Sequence, residues 1–234
     1  MLQDNGRIPK QRRNYFMTLE EFQELISYVR LHYDIKWYIF LLTQFSLGMR
    51  VSECSAINIY DFKDKFKFLD YRQAKTNKMI YSEPIPDPLR KLLIAYVYQN
   101  SHRLKNGFLF PNYNGKGNTY TTETIGSFWS KWRKGLGKTN IRWLDKYDCP
   151  SSIRYRIGSH SLRRLHRTFL SKKIDQDFIV AKLCHYDDFN SYLRYKNEFE
   201  ILENASDYIL PHMNPILSQL TDMSRGQQQL RRFI

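Results

Sequence analysis

The chain has 234 residues, of which 42% are hydrophobic and 15% aromatic, enough apolar material for a buried core and too much for a disordered chain. Lysine and arginine total 37 against 23 acidic residues, a formal charge of +14 that points to a polyanionic partner. The longest apolar run, Trp37 to Leu42, is far shorter than the ~20 residues needed to cross a bilayer, and no signal-peptide pattern precedes it, so a soluble intracellular protein without a membrane partner is expected.

The first fifteen residues are polar and basic, with Arg7, Lys10, Arg12 and Arg13 beside Gly6 and Pro9, and read as an arm. Thr18 followed by Glu21 is a capping box, and Leu19, Phe22, Leu25, Ile26 and Val29 then recur at helical spacing. The nearly all-apolar stretch 35–47 predicts a buried helix ended by Gly48, with Arg50 at the following turn. Over residues 66–86, Phe66, Phe68, Tyr71, Met79, Tyr81 and Ile85 bracket the polar segment Ala74-Lys75-Thr76-Asn77-Lys78, the pattern of a β-hairpin. Residues 89–98 and 124–132 read as helices, separated by a loop at 112–122 that carries Gly115 and Gly117. Residues 131–150, basic and without clear periodicity, are expected to be mostly loop, and helices are expected at 162–172, 178–183 and 191–202. Pro211 and Pro215 are expected to break the tail. Cys54, Cys149 and Cys184 form no CxxC pair and read as reduced thiols. The predicted fold class is mainly α with a small antiparallel β-sheet, in one compact domain.

Three segments carry chemistry. Gly48-Met49-Arg50-Val51-Ser52-Glu53 places an arginine between two helices, where such a residue is usually solvated or capping. His160-Ser161-Leu162-Arg163 sets an imidazole and a guanidinium at i and i+3, on one face if helical. Leu183-Cys184-His185 precedes Tyr192 and Tyr195, whose ordinary role on a helix is half-buried packing. Singly, each favours the ordinary reading. In this order, with Lys75-Thr76-Asn77-Lys78 on a hairpin between the first two, they resemble the tyrosine recombinases, the phage-integrase and Xer-type DNA strand-transfer enzymes. The resemblance runs from about residue 16 to 203 and implies that family's catalytic-domain fold.

Carried over position by position, the resemblance makes Arg50 and Arg163 the paired catalytic arginines and Glu53 the supporting acid of the first box. Lys75 takes the place of the hairpin lysine, His160 and His185 those of the two histidines, and Tyr195 that of the nucleophile. Tyr195 follows His185 by ten residues, one more than the family interval, and Tyr192 is the alternative nucleophile. Cys184 stands where the family has glycine, and Arg164 where it often has histidine. Arg12, Arg13, Lys78, Lys131, Arg133 and Lys134 are candidate DNA-binding residues, the last three lying among Trp129, Trp132 and Trp143.

The residue types suit the chemistry. Attack of a tyrosine oxygen on a phosphodiester spreads negative charge over the non-bridging oxygens, where two permanently charged guanidinium forks can bind. Charged hydrogen bonds contribute ~1.5–3 kcal/mol each, against the ~8–23 kcal/mol by which enzymes lower barriers, so in-line placement of the nucleophile must supply much of the rest. Asp187-Asp188 beside His185 is the nearest approach to a carboxylate cluster and reads as a solvated helix-start pair, so neither metal nor other cofactor is expected.

The resemblance implies double-stranded DNA as partner, self-association as a dimer or tetramer on it, a cytoplasmic, nucleoid-associated location, and viral or plasmid integration as one setting. The expected organisation is a basic arm at 1–15, the catalytic domain at 16–203 and a tail at 204–234 that docks on a neighbouring protomer or on its own core. Relatives place a DNA-clamping domain before the catalytic one. Here fifteen residues precede it, which fits either a catalytic fragment or a minimal enzyme with weakly sequence-specific binding. A type IB topoisomerase-like nicking-closing enzyme and a non-catalytic DNA-binding relative are the alternatives.

Overall fold

The computed structural model describes residues 17–75, 77, 79–104, 106–112, 118–137, 157–174 and 205–231. The expected helices at 178–183 and 191–202 lie outside them, as do Arg12, Arg13, Lys78, Cys149, Cys184, His185, Tyr192 and Tyr195.

Helix α1 (Leu19–His32) starts where the capping box places it: Thr18 Oγ1 accepts from Glu21 N at 3.2 Å, and Glu21 Oε2 accepts from Thr18 N at 2.9 Å. Helix α2 (Ile35–Leu47) begins on Asp34, whose carboxylate accepts from Lys36 N, and stops at Gly48, left-handed at φ 61°. Every residue of α2 from Lys36 to Leu47 is buried, because α1, α4 and α6 surround it. Its core contacts are largely aromatic. Phe22 and Phe45 lie 4.8 Å apart between ring centres, and Trp37 packs against Tyr120, Phe128 and Trp132.

A short helix α3 (Val51–Ser55) leads through a 3-10 turn at Ile59–Asp61 into the sheet. Strands β1 (Phe62–Lys63), β2 (Phe68–Arg72) and β3 (Met79–Pro84) form an antiparallel meander, so the expected hairpin gains one two-residue strand, with Phe62 opposite Leu69. A bulge interrupts the second pairing. Leu69 faces Glu83 but Tyr71 faces Ile80, and Ser82 sits at φ 54° with its N–H on Asp70.

Helices α4 (Asp87–Asn100), α5 (Thr122–Gly135) and α6 (Ser159–Ser171) follow. Helix α5 runs past Trp132, so residues 131–135, expected to open a loop, are helical; Thr121 caps its start and buried Ile125, Trp129 and Trp132 define its inner face.

The tail departs furthest from expectation. Helix α7 (Ala205–Arg231) continues through Pro211 and Pro215. Each proline removes one backbone bond, at roughly 3 kcal/mol in a helix interior, but both lie on the solvent face, where water can serve the carbonyls they release. On the opposite face Ile209, Met213, Leu217 and Leu220 are buried against α4, β3 and α1, at about 1.5–3 kcal/mol per side chain, which outweighs the loss. Asn214 adds a polar tie, its Oδ1 accepting from Asp87 N at the start of α4 at 2.8 Å. Among the described residues no helix is long and apolar enough to cross a membrane.

Candidate active site

The site is built around the turn between α2 and α3. Gly48 reverses the chain at the end of α2, and Arg50 occupies the N-cap position of α3. Three residues on, Glu53 folds back. Its Oε2 accepts from Arg50 N at 2.7 Å and its Oε1 from Arg50 Nη1 at 2.8 Å. The Arg50 side chain keeps 18% exposure and that of Glu53 only 1%, so the carboxylate is spent inside the protein while part of the guanidinium faces outward.

Glu53 also joins this turn to the sheet. The same Oε1 accepts from Ala74 N at 3.1 Å, at the root of the hairpin tip, so one carboxylate fixes both Arg50 and the residue preceding Lys75. The tip is closed by Asn77 N on Gln73 O at 2.9 Å, with Asn77 left-handed at φ 57°, and by Arg72 Nη1 on Asn77 O at 2.8 Å. Lys75 projects from it, exposed.

Helix α6 starts three residues before the expected position, which puts His160 and Arg163 on its first turns. Arg163 Nη1 donates to Gly48 O, so the second arginine is anchored two residues from the first. The imidazole of His160 has its pKa lowered, first by partial burial of the ring and then by the positive charges of Arg163, Arg164 and Arg50. The neutral ring is thereby favoured near neutral pH. Arg50, Glu53, His160, Arg163 and the backbone beside Lys75 thus meet at one place, assembled from α3, β2–β3 and α6.

Two residues outside the motifs complete the arrangement. Gln44, in the last turn of α2, donates from Nε2 to Met49 O at 3.4 Å and to Ser159 O at 3.3 Å. Arg133 on α5 donates from Nη1 to Ile157 O at 2.6 Å and from Nη2 to Ser130 Oγ at 2.9 Å, which directs its guanidinium toward the entry to α6. Lys131 and Lys134 remain exposed on α5, the former with its ammonium 5.5 Å from the Phe128 ring centre. The sequence carried one signal for Gln44, an amide inside an otherwise apolar run, and none for the internal use of Arg133.

Among solved structures, XerA recombinase shares the fold with a TM-score of 0.56 at 19% identity, over 82% of this chain and 64% of that one. A lambda integrase dimer, residues 75–356, bound to a COC' core site gives 0.55 at 16% identity, over 75% and 59% of the two chains. The lambda integrase catalytic core gives 0.53 at 15% identity, over 73% of this chain and 91% of that one. The chain therefore spans about three-fifths of the longer structures and most of the isolated core. At these identities the likeness establishes the fold, the mainly helical tyrosine recombinase catalytic domain with its small antiparallel sheet. No curated protein matches the sequence. Residues 15–200, most of the chain and the whole span that contributes to the site, match the phage integrase family, and to that family the protein belongs.

Proposed function

We propose that this protein is a site-specific DNA recombinase or integrase that cleaves and rejoins strands through a covalent 3′-phosphotyrosine intermediate. The observation that carries the reading is the anchoring of Arg50, Arg163 and His160 around one turn. Arg163 holds Gly48 O, Arg50 follows two residues later, and both guanidiniums act on the His160 ring.

In this reaction Arg50 and Arg163 hold the non-bridging oxygens of the scissile phosphate. The Tyr195 oxygen attacks phosphorus as the bond from phosphorus to the 5′ oxygen breaks. His160, neutral at working pH, takes the tyrosine proton, and Lys75 on its hairpin gives a proton to the departing 5′ oxygen. His185 hydrogen-bonds the phosphate. Religation reverses each transfer, and the retained phosphodiester bond energy makes a nucleotide cofactor unnecessary. Glu53 orients Arg50 and the hairpin rather than reacting.

The partner is double-stranded DNA, held by Arg12, Arg13 and Lys78 and by exposed Lys131 and Lys134. Arg133 contributes through the entry to α6 as well as by its charge. Self-association on DNA accompanies strand exchange, and a DNA-associated location, on a chromosome or on a viral or plasmid genome, follows from the activity. The proposed organisation is an arm at 1–15, the catalytic domain at 16–203 and a tail from 204 that can exchange between protomers.

A nicked suicide duplex tests the reading. Wild type should form a covalent adduct and Tyr195→Phe none. An adduct that survives Tyr195→Phe but not Tyr192→Phe moves the nucleophile to Tyr192, and synapsis of two sites separates a recombinase from a topoisomerase-like enzyme. No adduct with any duplex in wild type would leave a DNA-binding relative.

A further inference from the structure

Helix α2 is buried from Lys36 to Leu47, and its internal polar side chains find partners in different ways. Thr43 and Ser46 turn back onto their own helix, donating to Ile39 O at 2.8 Å and Leu42 O at 2.5 Å. Lys36 reaches Tyr120 at the far end, at 2.7 Å. Gln44 alone of these four reaches the arginine-bearing elements. It is 1% exposed, and its single amide nitrogen serves Met49 O, next to Arg50, and Ser159 O, next to His160.

Chemistry fixes which way the amide faces, because the reverse orientation would set Oε1 against two carbonyl oxygens. The two –NH2 hydrogens can serve one carbonyl each. The segments so joined are 115 positions apart from Gln44 to Ser159, and Arg163 on Gly48 O is a second tie between the same two pieces of chain. The N-terminus of α6 has Gly158 as its cap residue, which offers no side-chain oxygen to hold it in place.

We infer that Gln44 is a positioning residue that sets the distance between the Arg50 turn and the His160–Arg163 helix. Its consequence for rate rests on the strand-transfer reading; its geometry does not. Replacing the amide with an apolar group of similar length removes both donors while filling the same space, so α6 can drift from the turn. A drift of about 1 Å at a site of this kind can cost up to ~100-fold in rate.

The test follows the His160 ring by NMR in the full chain without DNA, and adduct formation on the nicked duplex at saturating DNA in parallel. In Gln44→Met the His160 pKa should rise toward its ordinary value as the positive charge of Arg50 recedes from the ring. Gln44→Asn, whose shorter amide cannot span both carbonyls, should do the same if the methionine variant folds poorly. The control is Thr43→Val, which removes a buried hydroxyl that stays within α2. It should leave the His160 titration in place whatever it does to stability. The adduct rate should fall at least about tenfold in both Gln44 variants, with DNA affinity changed by less than about twofold. A His160 titration unchanged in both Gln44 variants, or moved equally by Thr43→Val, overturns the inference. A titration that moves while wild type forms no adduct leaves Gln44 in its role and removes the strand-transfer reading instead.

Discussion

Replacing Glu53 with glutamine tests whether one buried carboxylate holds the first arginine and the hairpin together. The wild-type oxygens accept three donors, two from Arg50 and one from Ala74. Glutamine keeps the shape but offers one oxygen and one –NH2. If its oxygen takes the place of Oε1, the amide nitrogen opposes the Arg50 backbone N–H, donor against donor. The change therefore loses a charged hydrogen bond worth ~1.5–3 kcal/mol and strands a buried donor at ~1–3 kcal/mol. Breaking a buried ion pair typically costs ~3–5 kcal/mol, and the partial exposure of Arg50 places this pair at the lower end, near ~3 kcal/mol. With a urea slope of about 2–3 kcal/mol/M, the midpoint of Trp fluorescence unfolding should fall by about 1–1.5 M with the slope unchanged. Glu53→Ala should cost as much or more, and a double-mutant cycle with Arg50→Ala should show strong coupling. A loss below ~1 kcal/mol, the range of exposed ion pairs, would refute the reasoning.

Further outcomes follow from the same contacts. Because burial and then Arg163, Arg164 and Arg50 lower the His160 pKa, the acid limb of the cleavage rate should lie below the 6.5 of an ordinary histidine, and Arg164→Gln should move it to higher pH. For stability the sign is set by the same shift: the unfolded ring binds its proton more readily, so the His160 contribution is complete above about pH 6.5 and is lost as pH falls toward the folded pKa. Gly48→Ala forces a side chain into φ 61°, at ~1–2 kcal/mol, and should lower Tm by about 2–8 °C; Gly126→Ala on exposed α5, with nothing within 4 Å of the new Cβ, should raise it slightly. Leu217→Ala, which empties a fully buried position between α7 and the core, should cost ~2–5 kcal/mol in urea unfolding.

Local signals were legible where one or two residues decide the backbone. Thr18 with Glu21 marks the start of α1, and Gly48 marks the end of α2 because only glycine takes a left-handed turn there without strain. What escaped reading depended on partners outside the segment itself. Strand β1 has two residues and exists only because Leu69 and Phe68 lie opposite it. Pro211 and Pro215 signal a break locally, and the apolar face that overrides them acts only through α4, β3 and α1. At the site, the motifs single out Arg50, His160 and Arg163, while the partners that orient them stay hidden. Gln44 reads as a stray polar residue until Ser159 is beside it, and Arg133 reads as surface charge until Ile157 O is found within its reach.

The tie between Asn214 and Asp87 closes a span of 127 positions. A ribosome adding ~5–20 residues per second emits the beginning of α4 roughly 6–25 s before the side chain that caps it. For that interval the parts of α4 and β3 that α7 later covers stand bare in the nascent polypeptide, awaiting Met213, Leu217 and Leu220. Completion of the domain thereby waits for the synthesis of α7, and holdase chaperones have a defined apolar target until then.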